Sequence, residues 1–386
     1  MRRLFVLVAA VILVDTMFYA AIVPLLPEFS DDLGLSKTAA GILSASYAAG
    51  TLVASLPAGW LAARVGVRQS MLIGLGLLSV SSLVFAFADH IVVLDVARFA
   101  QGVGGACAWT GGLAWLLTAG PRERRGELVG SVLAVAVAGL LLGPVIGGAA
   151  TVLGSEPVFS AVAAIGAALF AWVLATPGIE PAPVPGIRSV AAAILTGPVL
   201  VAFWLVVLPS MLAGLIDVLA PLRLDDLGAS GVTVGAVFLI AAAIEATISP
   251  SIGRLSDRRG RLTPIRVGLI VSALAALIPP LPGGVVILGA VVVGVFLAMS
   301  LIWTPAMALL SDNAEAAGLD LAFATALVSL SWAGGHVLGG SAIVSLADET
   351  SDAIAYALVA ALFALTFAML FAARRAYLGE GGTASG

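Results

Sequence analysis

Residues 59–68 read GWLAARVGVR, and residues 253–261 read GRLSDRRGR, a related stretch 194 positions further along the chain. Each stretch follows an apolar segment and has glycine and arginine at matching positions. Glycine lets the backbone turn tightly and lets two helix ends approach, while arginine-rich loops stay in water beside a membrane. The two stretches therefore predict a repeated unit in which a short charged loop joins two apolar helices.

Rarer residues recur at the same shift. The matched positions are Pro27 with Pro221, Asp31-Asp32-Leu33-Gly34 with Asp225-Asp226-Leu227-Gly228, Gly41 with Gly235, Gly59 with Gly253, Gly66 with Gly260, and Trp109-Thr110 with Trp303-Thr304. Apolar spans resemble one another by composition alone, but rare residues in one order at one shift indicate an internal duplication. Copies with an even number of spans are parallel repeats, and we expect a cavity between them near the middle of the bilayer.

The composition places the chain in a membrane. Hydrophobic residues make up 61% of it and charged residues only 10%, whereas soluble domains carry about 25% charged residues. The apolar segments are long enough, at about 1.5 Å per residue, to cross a hydrocarbon core of about 30 Å as helices. The predicted spans are residues 4–27, 39–62, 69–88, 91–117, 127–151, 157–176, 198–221, 231–252, 265–281, 285–310, 319–346 and 353–373. The predicted fold class is an all-α membrane protein with twelve transmembrane helices in two pseudo-symmetric six-helix bundles.

The charged loops predict how the chain is divided and oriented. We expect an N-terminal six-helix bundle at 1–176, a cytoplasmic connector at 177–197, a C-terminal six-helix bundle at 198–373 and a cytoplasmic tail at 374–386. Fifteen of the 18 basic residues fall on the side shared by the two termini: Arg2, Arg3, Arg64, Arg68, Arg122, Arg124, Arg125, Arg188, Arg254, Arg258, Arg259, Arg261, Arg266, Arg374 and Arg375. Lys37 and Arg223 lie on the other side, and Arg98 lies within a span. Since basic loops are retained in the cytoplasm, we expect a multi-pass protein of the cell (inner or plasma) membrane with both termini cytoplasmic.

Three sets of residues resemble motifs of the major facilitator superfamily, and of its drug/proton antiporters in particular. The loop set is Gly59, Arg64 and Gly66, with the fuller copy Gly253, Asp257, Arg258, Gly260 and Arg261. The fourth span holds Arg98, Gln101, Gly102, Gly104 and Gly105, and the fifth span holds Gly139, Gly143, Pro144, Gly147 and Gly148. The resemblance implies gating roles for the loop and fifth-span sets and a part in proton coupling for Arg98. The first loop copy departs from the family at Ala63, where an Asp is usual, so Arg64 lacks its usual local partner.

The fifth-span set also has a direct physical interpretation. Small residues at four-residue spacing allow close helix contact, and Pro144 removes a backbone hydrogen bond and bends the helix. A bent helix of this kind can act as a gate. The eleventh span repeats the set weakly, with Gly335, His336, Gly339 and Gly340 but without the proline.

Charged residues deep within the spans are functional candidates, because a charge in the bilayer costs roughly 2.5 to 3.5 kcal/mol unless it is paired. Asp15, in the middle of the first span, is the leading candidate for proton coupling, and that span is similar to those of drug exporters and vesicular amine transporters. Arg98 has two candidate partners, Asp95 three residues earlier and Asp15. Either Glu245 or Asp217 is the candidate second proton site.

Aromatic side chains accompany these charges and predict an apolar substrate cavity. Its candidate lining is Asp15, Tyr19, Phe18, Trp109, Trp303 and Glu245. The resemblance implies a monomeric, proton-coupled secondary transporter that exports small amphipathic or cationic molecules by alternating access, with the proton gradient as its energy source and no cofactor or metal. The alternatives are a narrow-substrate exporter of a sugar, amino acid or metabolite, a proton-linked importer, and a non-transporting membrane receptor. The sequence shows no nucleophile–base set, metal cluster, phosphate loop or basic aromatic stripe, so neither an enzyme nor a nucleic-acid-binding protein is expected.

Overall fold

A computed structural model describes residues 2–120, 125–178, 187–319 and 321–380. Within these ranges the regular structure is entirely helical. The α-helices are α1 Arg2–Ala20, α2 Leu26–Leu33, α3 Lys37–Val65, α4 Val67–Ala86, α5 Ile91–Ala119, α6 Arg125–Leu153, α7 Ser155–Leu174, α8 Ile187–Ile194, α9 Gly197–Asp226, α10 Gly231–Arg259, α11 Leu262–Ala275, α12 Val285–Ala316, α13 Leu321–Val337, α14 Val344–Glu349 and α15 Asp352–Glu380. A 3₁₀ turn at Val23–Leu25 lies between α1 and α2, and a π-helical segment at Leu338–Ile343 joins α13 to α14.

Eleven segments in the described ranges are long and apolar enough to cross a membrane, with Arg2–Leu33 and Phe323–Glu349 each counted as one. The shorter apolar helix α11 lies at the position predicted for the ninth span. The predicted all-α membrane fold with twelve transmembrane helices is therefore confirmed. The division into domains at 176 and 198 stays a prediction, and Arg122 and Arg124 of the predicted basic side lie outside the described residues.

Two elements differ from the sequence-based expectation. The sequence predicts the ninth span at 265–281, but α11 ends at Ala275 and turns come after it. Pro279 and Pro280 explain the early end, because proline lacks an amide donor and disfavours helical geometry in the residue before it. The other difference is α8, a short helix within the segment that was expected to be only a connector.

Helices α1 and α9 lie at the centre of the molecule. In the apolar stretch of each span, 72% of the residues are buried in the span that contains α1 and 78% in α9, compared with 28% in α10 and 33% in α7 and α15. Central placement agrees with their sequences, since both are apolar on all faces, as expected of a helix surrounded by others. Asp15 and Asp217 are carried on these two central helices.

Two helix pairs join the N-terminal six spans to the C-terminal six. Helix α3 packs on α13, and α6 packs on α10. Small residues allow both contacts: a side chain on Gly41 would collide with the carbonyl of Gly340, and one on Gly235 would lie 2.7 Å from the carbonyl oxygen of Pro144. The six-span units therefore meet along backbone-to-backbone contacts that leave no space for larger residues.

Charged and polar side chains connect the two six-span units at the end of the molecule that carries Lys37. We call this the Lys37 end. Lys37 Nζ lies 2.6 Å from Asp352 Oδ1. At the next residue, the backbone amide and the hydroxyl of Thr38 both donate to Asp348 Oδ2, at 3.1 and 2.8 Å. Because these bonds satisfy an otherwise free amide in the first turn of α3, the acidic residues of one unit stabilise a helix start in the other.

Candidate functional site

Asp15 lies in the middle of α1, and only 1% of its surface is exposed. Tyr47 Oη donates to both carboxyl oxygens, at 2.9 and 3.0 Å, and Trp109 Nε1 donates to Oδ2 at 3.0 Å. Gly105 makes this arrangement possible, because a Cβ atom there would lie 2.6 Å from Asp15 Oδ1. The carboxyl group is thus held by two neutral donors in an enclosed site, an arrangement that can accept and release a proton without breaking an ion pair.

Arg98 makes no ion pair with Asp95 or Asp15 in this structure, although it interacts electrostatically with Asp15. Its guanidinium donates to the carbonyl oxygens of Phe18 at 3.2 Å and Tyr19 at 3.1 Å, and to Gln101 Oε1 at 3.3 Å. Helix α1 ends at Ala20, so these carbonyls belong to its last turn, where helical acceptors lack partners within the helix. Arg98 therefore binds the end of the helix that carries the candidate proton site, and its proposed part in coupling stays a prediction.

A second buried polar cluster lies across the interface from Asp15. Asp217 of α9 and His336 of α13 face each other, with Oδ2 3.8 Å from Nε2. The Tyr19 hydroxyl interacts with the Asp217 carboxyl, and the Tyr19 ring lies 5.0 Å from that of Trp332. Tyr19 also lies 5.0 Å from the Tyr47 ring, so one side chain contacts both carboxyl clusters.

The two remaining cavity candidates differ in their surroundings. Glu245, the other candidate for the second proton site, is half-buried on α10, with no hydrogen bond or ion pair to the described residues. Trp303 matches Trp109 in the repeat, but its buried Nε1 has no acceptor among the described side chains and backbone groups. Its ring lies 6.1 Å from that of His336.

Phe18 occupies a packing position. It is 1% exposed, and its ring makes edge contacts with Phe159 at 5.1 Å and Phe85 at 6.0 Å. Phe85 and Phe159 contact each other at 5.0 Å and complete the cluster. In this conformer Phe18 therefore stabilises the contact of α1 with α4 and α7.

The fifth-span glycines form the contact between α6 and α1. A side chain on Gly139 would collide with Thr16, one on Gly143 would lie 2.8 Å from the Met17 carbonyl oxygen, and one on Gly147 would collide with the Ala21 carbonyl. The four-residue spacing places all three on one face of α6. Pro144 and Gly148 face α10 instead: Gly148 lies near Val232, and the Pro144 carbonyl near Gly235. The set therefore lies between α1, which carries Asp15, and the other six-span unit.

The two loop copies are built differently. Gly66 and Gly260 both have positive φ, 95° and 81°, so the glycine requirement is shared. In the second copy Arg261 bonds Asp312 at 2.8 Å and Asp257 at 3.3 Å. In the first copy, which lacks the acid, Arg68 instead donates to the last carbonyls of α7, with Nε 3.2 Å from the Val173 oxygen.

The other loop residues make fewer contacts. Arg64 and Arg258 are exposed. Gly59 faces the ring of Phe323 at 3.6 Å, and Gly253 faces Thr304 at 4.0 Å. Their predicted gating role rests on the resemblance.

Sequence reasoning did not identify Tyr47 and His336 as partners of the buried acids. Tyr47 is one of only 4 tyrosines and His336 one of only 2 histidines in the chain. Rarity of this kind inside an apolar span is a usable indication, because a polar group is seldom retained there without a partner.

Central helices that carry enclosed carboxyls at the interface of two helical units define a multi-pass membrane transporter. The chain belongs to the Major Facilitator Superfamily, whose sequence profile matches residues 8–340. The family consists of transporters rather than enzymes.

Several curated relatives are similar over part of the chain. The MFS-type transporter ppzB of Metarhizium rileyi is 34% identical over 173 residues, which cover 44% of this chain and 35% of that protein. The probable vesicular acetylcholine transporter-B of Danio rerio is 36% identical over 156 residues, covering 38% and 32%. The quinolone resistance protein NorA of Staphylococcus aureus is 30% identical over 127 residues, 33% of each chain. The matched segments thus span about a third of the length of these relatives.

Solved structures share the whole fold at low identity. A bacterial homologue of the human lysosomal transporter Spinster, in an inward-facing and unoccupied conformation, has a TM-score of 0.77 and 13% identity, with 97% of each chain covered. A POT family transporter in complex with a thioalcohol-conjugated peptide has a TM-score of 0.75 and 14% identity, with 95% covered. At this identity the likeness extends to the fold alone.

Proposed function

We propose that this protein is a proton-coupled antiporter that exports small amphipathic or cationic molecules through the cell membrane by alternating access. Protons enter from outside, bind Asp15, and compete there with the substrate. Each charge that moves inward gains about 2.3 kcal/mol per 100 mV of membrane potential, which is sufficient to drive export. The second proton site is Asp217 or Glu245, and the energy source is the proton gradient, with no cofactor.

The proposal rests on the burial of the Asp15 side chain inside the protein. A carboxyl group that is 1% exposed inside an apolar helix is costly and has no evident packing role. Its partners Tyr47 and Trp109 are aromatic and neutral, so they offer stacking surfaces to an apolar ligand and leave the acid free to attract a cation. Protonation of Asp15 would remove that attraction, which is the competition that antiport requires.

The relatives support export of this kind. The name of NorA states resistance to quinolones, and the vesicular acetylcholine transporters carry a small cation. The basic loops support an orientation with the arginine-rich end, residues 254–261, in the cytoplasm. We therefore place the Lys37 end outside and propose that the protein acts as a monomer.

The test uses purified protein in liposomes with an imposed pH gradient and a fluorescent amphipathic cation as the substrate. Asp15→Asn keeps the size of the side chain and one acceptor oxygen but cannot bind the coupled proton, and we expect it to abolish proton-driven transport while equal amounts of protein insert. Asp226→Asn is the matched control, because Asp226 is exposed. Undiminished gradient-driven transport by Asp15→Asn would refute the assigned role.

A narrow-substrate transporter is the second candidate. The acetylcholine transporter relatives, named for a single substrate, are as similar to this chain as the NorA proteins are. Profiling a panel of cations, amino acids and sugars in the same liposomes separates the two: several unrelated substrates support a multidrug exporter, and a single substrate supports the narrow one.

A further inference from the structure

Asp217 and His336 are enclosed together near the centre of the molecule. Their side chains are 14% and 6% exposed, and the facing atoms Oδ2 and Nε2 lie 3.8 Å apart. The two helices pack closely here, since a Cβ atom on Gly214 would lie 2.7 Å from the His336 carbonyl oxygen. The close packing of α9 on α13 holds the two side chains next to each other.

The backbone determines which nitrogen of His336 can exchange a proton. His336 Nδ1 lies 3.1 Å from the Trp332 carbonyl oxygen, which can only accept a hydrogen bond, so Nδ1 must carry a hydrogen. Nε2 is then the atom that gains or loses a proton, and it is the atom that faces Asp217. The same proton can therefore be carried in two ways. It lies on Asp217 Oδ2, facing a lone pair on Nε2, or it lies on Nε2, which gives a carboxylate beside an imidazolium.

Few other groups can neutralise this pair. The titratable side chains that face it are Tyr19 from α1, through its hydroxyl, and Tyr356 from α15, whose hydroxyl has no hydrogen-bond partner in the described structure. Trp303 from α12 and Trp332 from α13 add rings at 6.1 and 4.5 Å from the imidazole. The basic group Arg98 interacts electrostatically with Tyr19 and is bound to the carbonyls at the end of α1.

We propose that Asp217 and His336 together form one proton-binding site, in which Oδ2 and Nε2 approach from 3.8 Å to hydrogen-bonding distance, about 3 Å, when they share a proton. Tyr19 links this site to Asp15, because it contacts Asp217 with its hydroxyl and Tyr47 with its ring. The role of the pair in the transport cycle rests on the proposed function. The existence of a shared-proton site does not rest on that function, because two facing groups can exchange a proton whether or not substrate is transported.

The proton balance is set by the geometry. Transfer within the pair breaks the Oδ2–H bond and forms the Nε2–H bond, with no net gain or loss. Binding of a second proton from outside gives a protonated acid beside an imidazolium, and loss of the shared proton leaves a carboxylate beside a neutral imidazole. The groups therefore titrate as a pair in two steps, and neither step belongs to one residue alone.

Nitrogen-15 NMR of histidine-labelled protein in detergent tests the proposal directly, because the chain contains only 2 histidines. The other is His90, which is exposed at the start of α5, so His90→Gln leaves His336 as the single resonance pair. We expect neutral His336 to carry its hydrogen on Nδ1, the less common form in water. We also expect its titration to shift by about one pH unit or more in Asp217→Asn, and not at all in the exposed control Asp89→Asn.

Two results would overturn the shared proton: a neutral His336 with its hydrogen on Nε2, or an unchanged titration in Asp217→Asn. The first needs no substitution at Asp217, so it decides the matter even if that variant does not fold. For transport, Asp217→Asn, His336→Gln and the double variant should lower the protons exchanged per substrate by the same amount. Additive losses would overturn the pairing. If the wild-type protein exchanges no protons while the NMR titration is coupled, the proposed function fails and the shared-proton site stands.

Discussion

The contact of α6 with α1 allows a quantitative test within a single helix. In Gly143→Ala the new methyl carbon would lie 2.8 Å from the Met17 carbonyl oxygen and would collide with the Ala20 side chain. An ordinary contact begins near 3.4 Å, so relief of the Met17 contact alone requires the two backbones to separate by about 0.6 Å, and the Ala20 contact requires more. A separation of this size forfeits a substantial part of their mutual attraction. Overpacking of this kind costs about 1 to 3 kcal/mol.

Gly130→Ala in the same helix supplies the control, because nothing lies within 4 Å of its new Cβ atom. Both substitutions gain the same helix propensity, about 0.5 to 1 kcal/mol, so the difference between them isolates the packing cost. Gly148→Ala should behave like the control, since its nearest neighbour is Val232 Cα at 3.7 Å.

The assay is reversible unfolding in mixed micelles together with efflux from liposomes. We expect the free energy of unfolding of Gly143→Ala to lie about 1 to 3 kcal/mol below that of Gly130→Ala, with efflux lowered only in the former. Equal unfolding free energies and equal efflux in the two variants would refute the role of the fifth-span glycines in helix contact.

Three further predictions concern the polar contacts. Tyr47→Phe removes one of the two donors to the buried carboxyl on α1, a bond worth about 1.5 to 3 kcal/mol when the acceptor is charged, so gradient-driven efflux should fall tenfold or more while expression is unchanged. Arg98→Lys should impair transport almost as much as Arg98→Ala, because a single ammonium lacks the forked geometry that binds two carbonyls; full activity of the lysine variant would show that charge alone suffices. Asp352→Asn weakens the ion pair at the Lys37 end by no more than about 1 kcal/mol, since it is partly exposed. Thiol labelling of Ala40→Cys, with the native cysteine replaced by alanine, should then be up to about fivefold faster, and an unchanged rate would argue against a role in closing this end.

The spans could be predicted from the sequence because they depend on composition and length alone. Asp15 could be recognised for a similar reason, since a carboxyl in the middle of an apolar span is unusual wherever the helix packs. Its partners could not, because Tyr47 and Trp109 lie 32 and 94 positions away and meet it only when three helices pack together. Such contacts leave no local pattern in the chain.

The environment of Arg98 shows a second limit. The sequence predicts acidic side chains as its partners, whereas the structure supplies backbone carbonyls at the end of α1. The end of that helix is indicated by Pro24 and Pro27, which remove two amide donors from the next turns. The end of a helix does not determine which neighbouring side chain reaches its last carbonyls, so the contact depends on tertiary packing.

The π-helical segment at Leu338–Ile343 has a consequence for the faces of the helix that contains it. It accommodates one residue more than an α-helix over the same stretch, which rotates the later part of the span by about 100° relative to the earlier part. His336, before the segment, faces Asp217 on a central helix, while Asp348, beyond it, faces Thr38 in the other six-span unit. A single span thereby points two functional groups in directions that an uninterrupted α-helix would not offer together. We expect that deleting one residue between 338 and 343 leaves one of these contacts intact and abolishes the other.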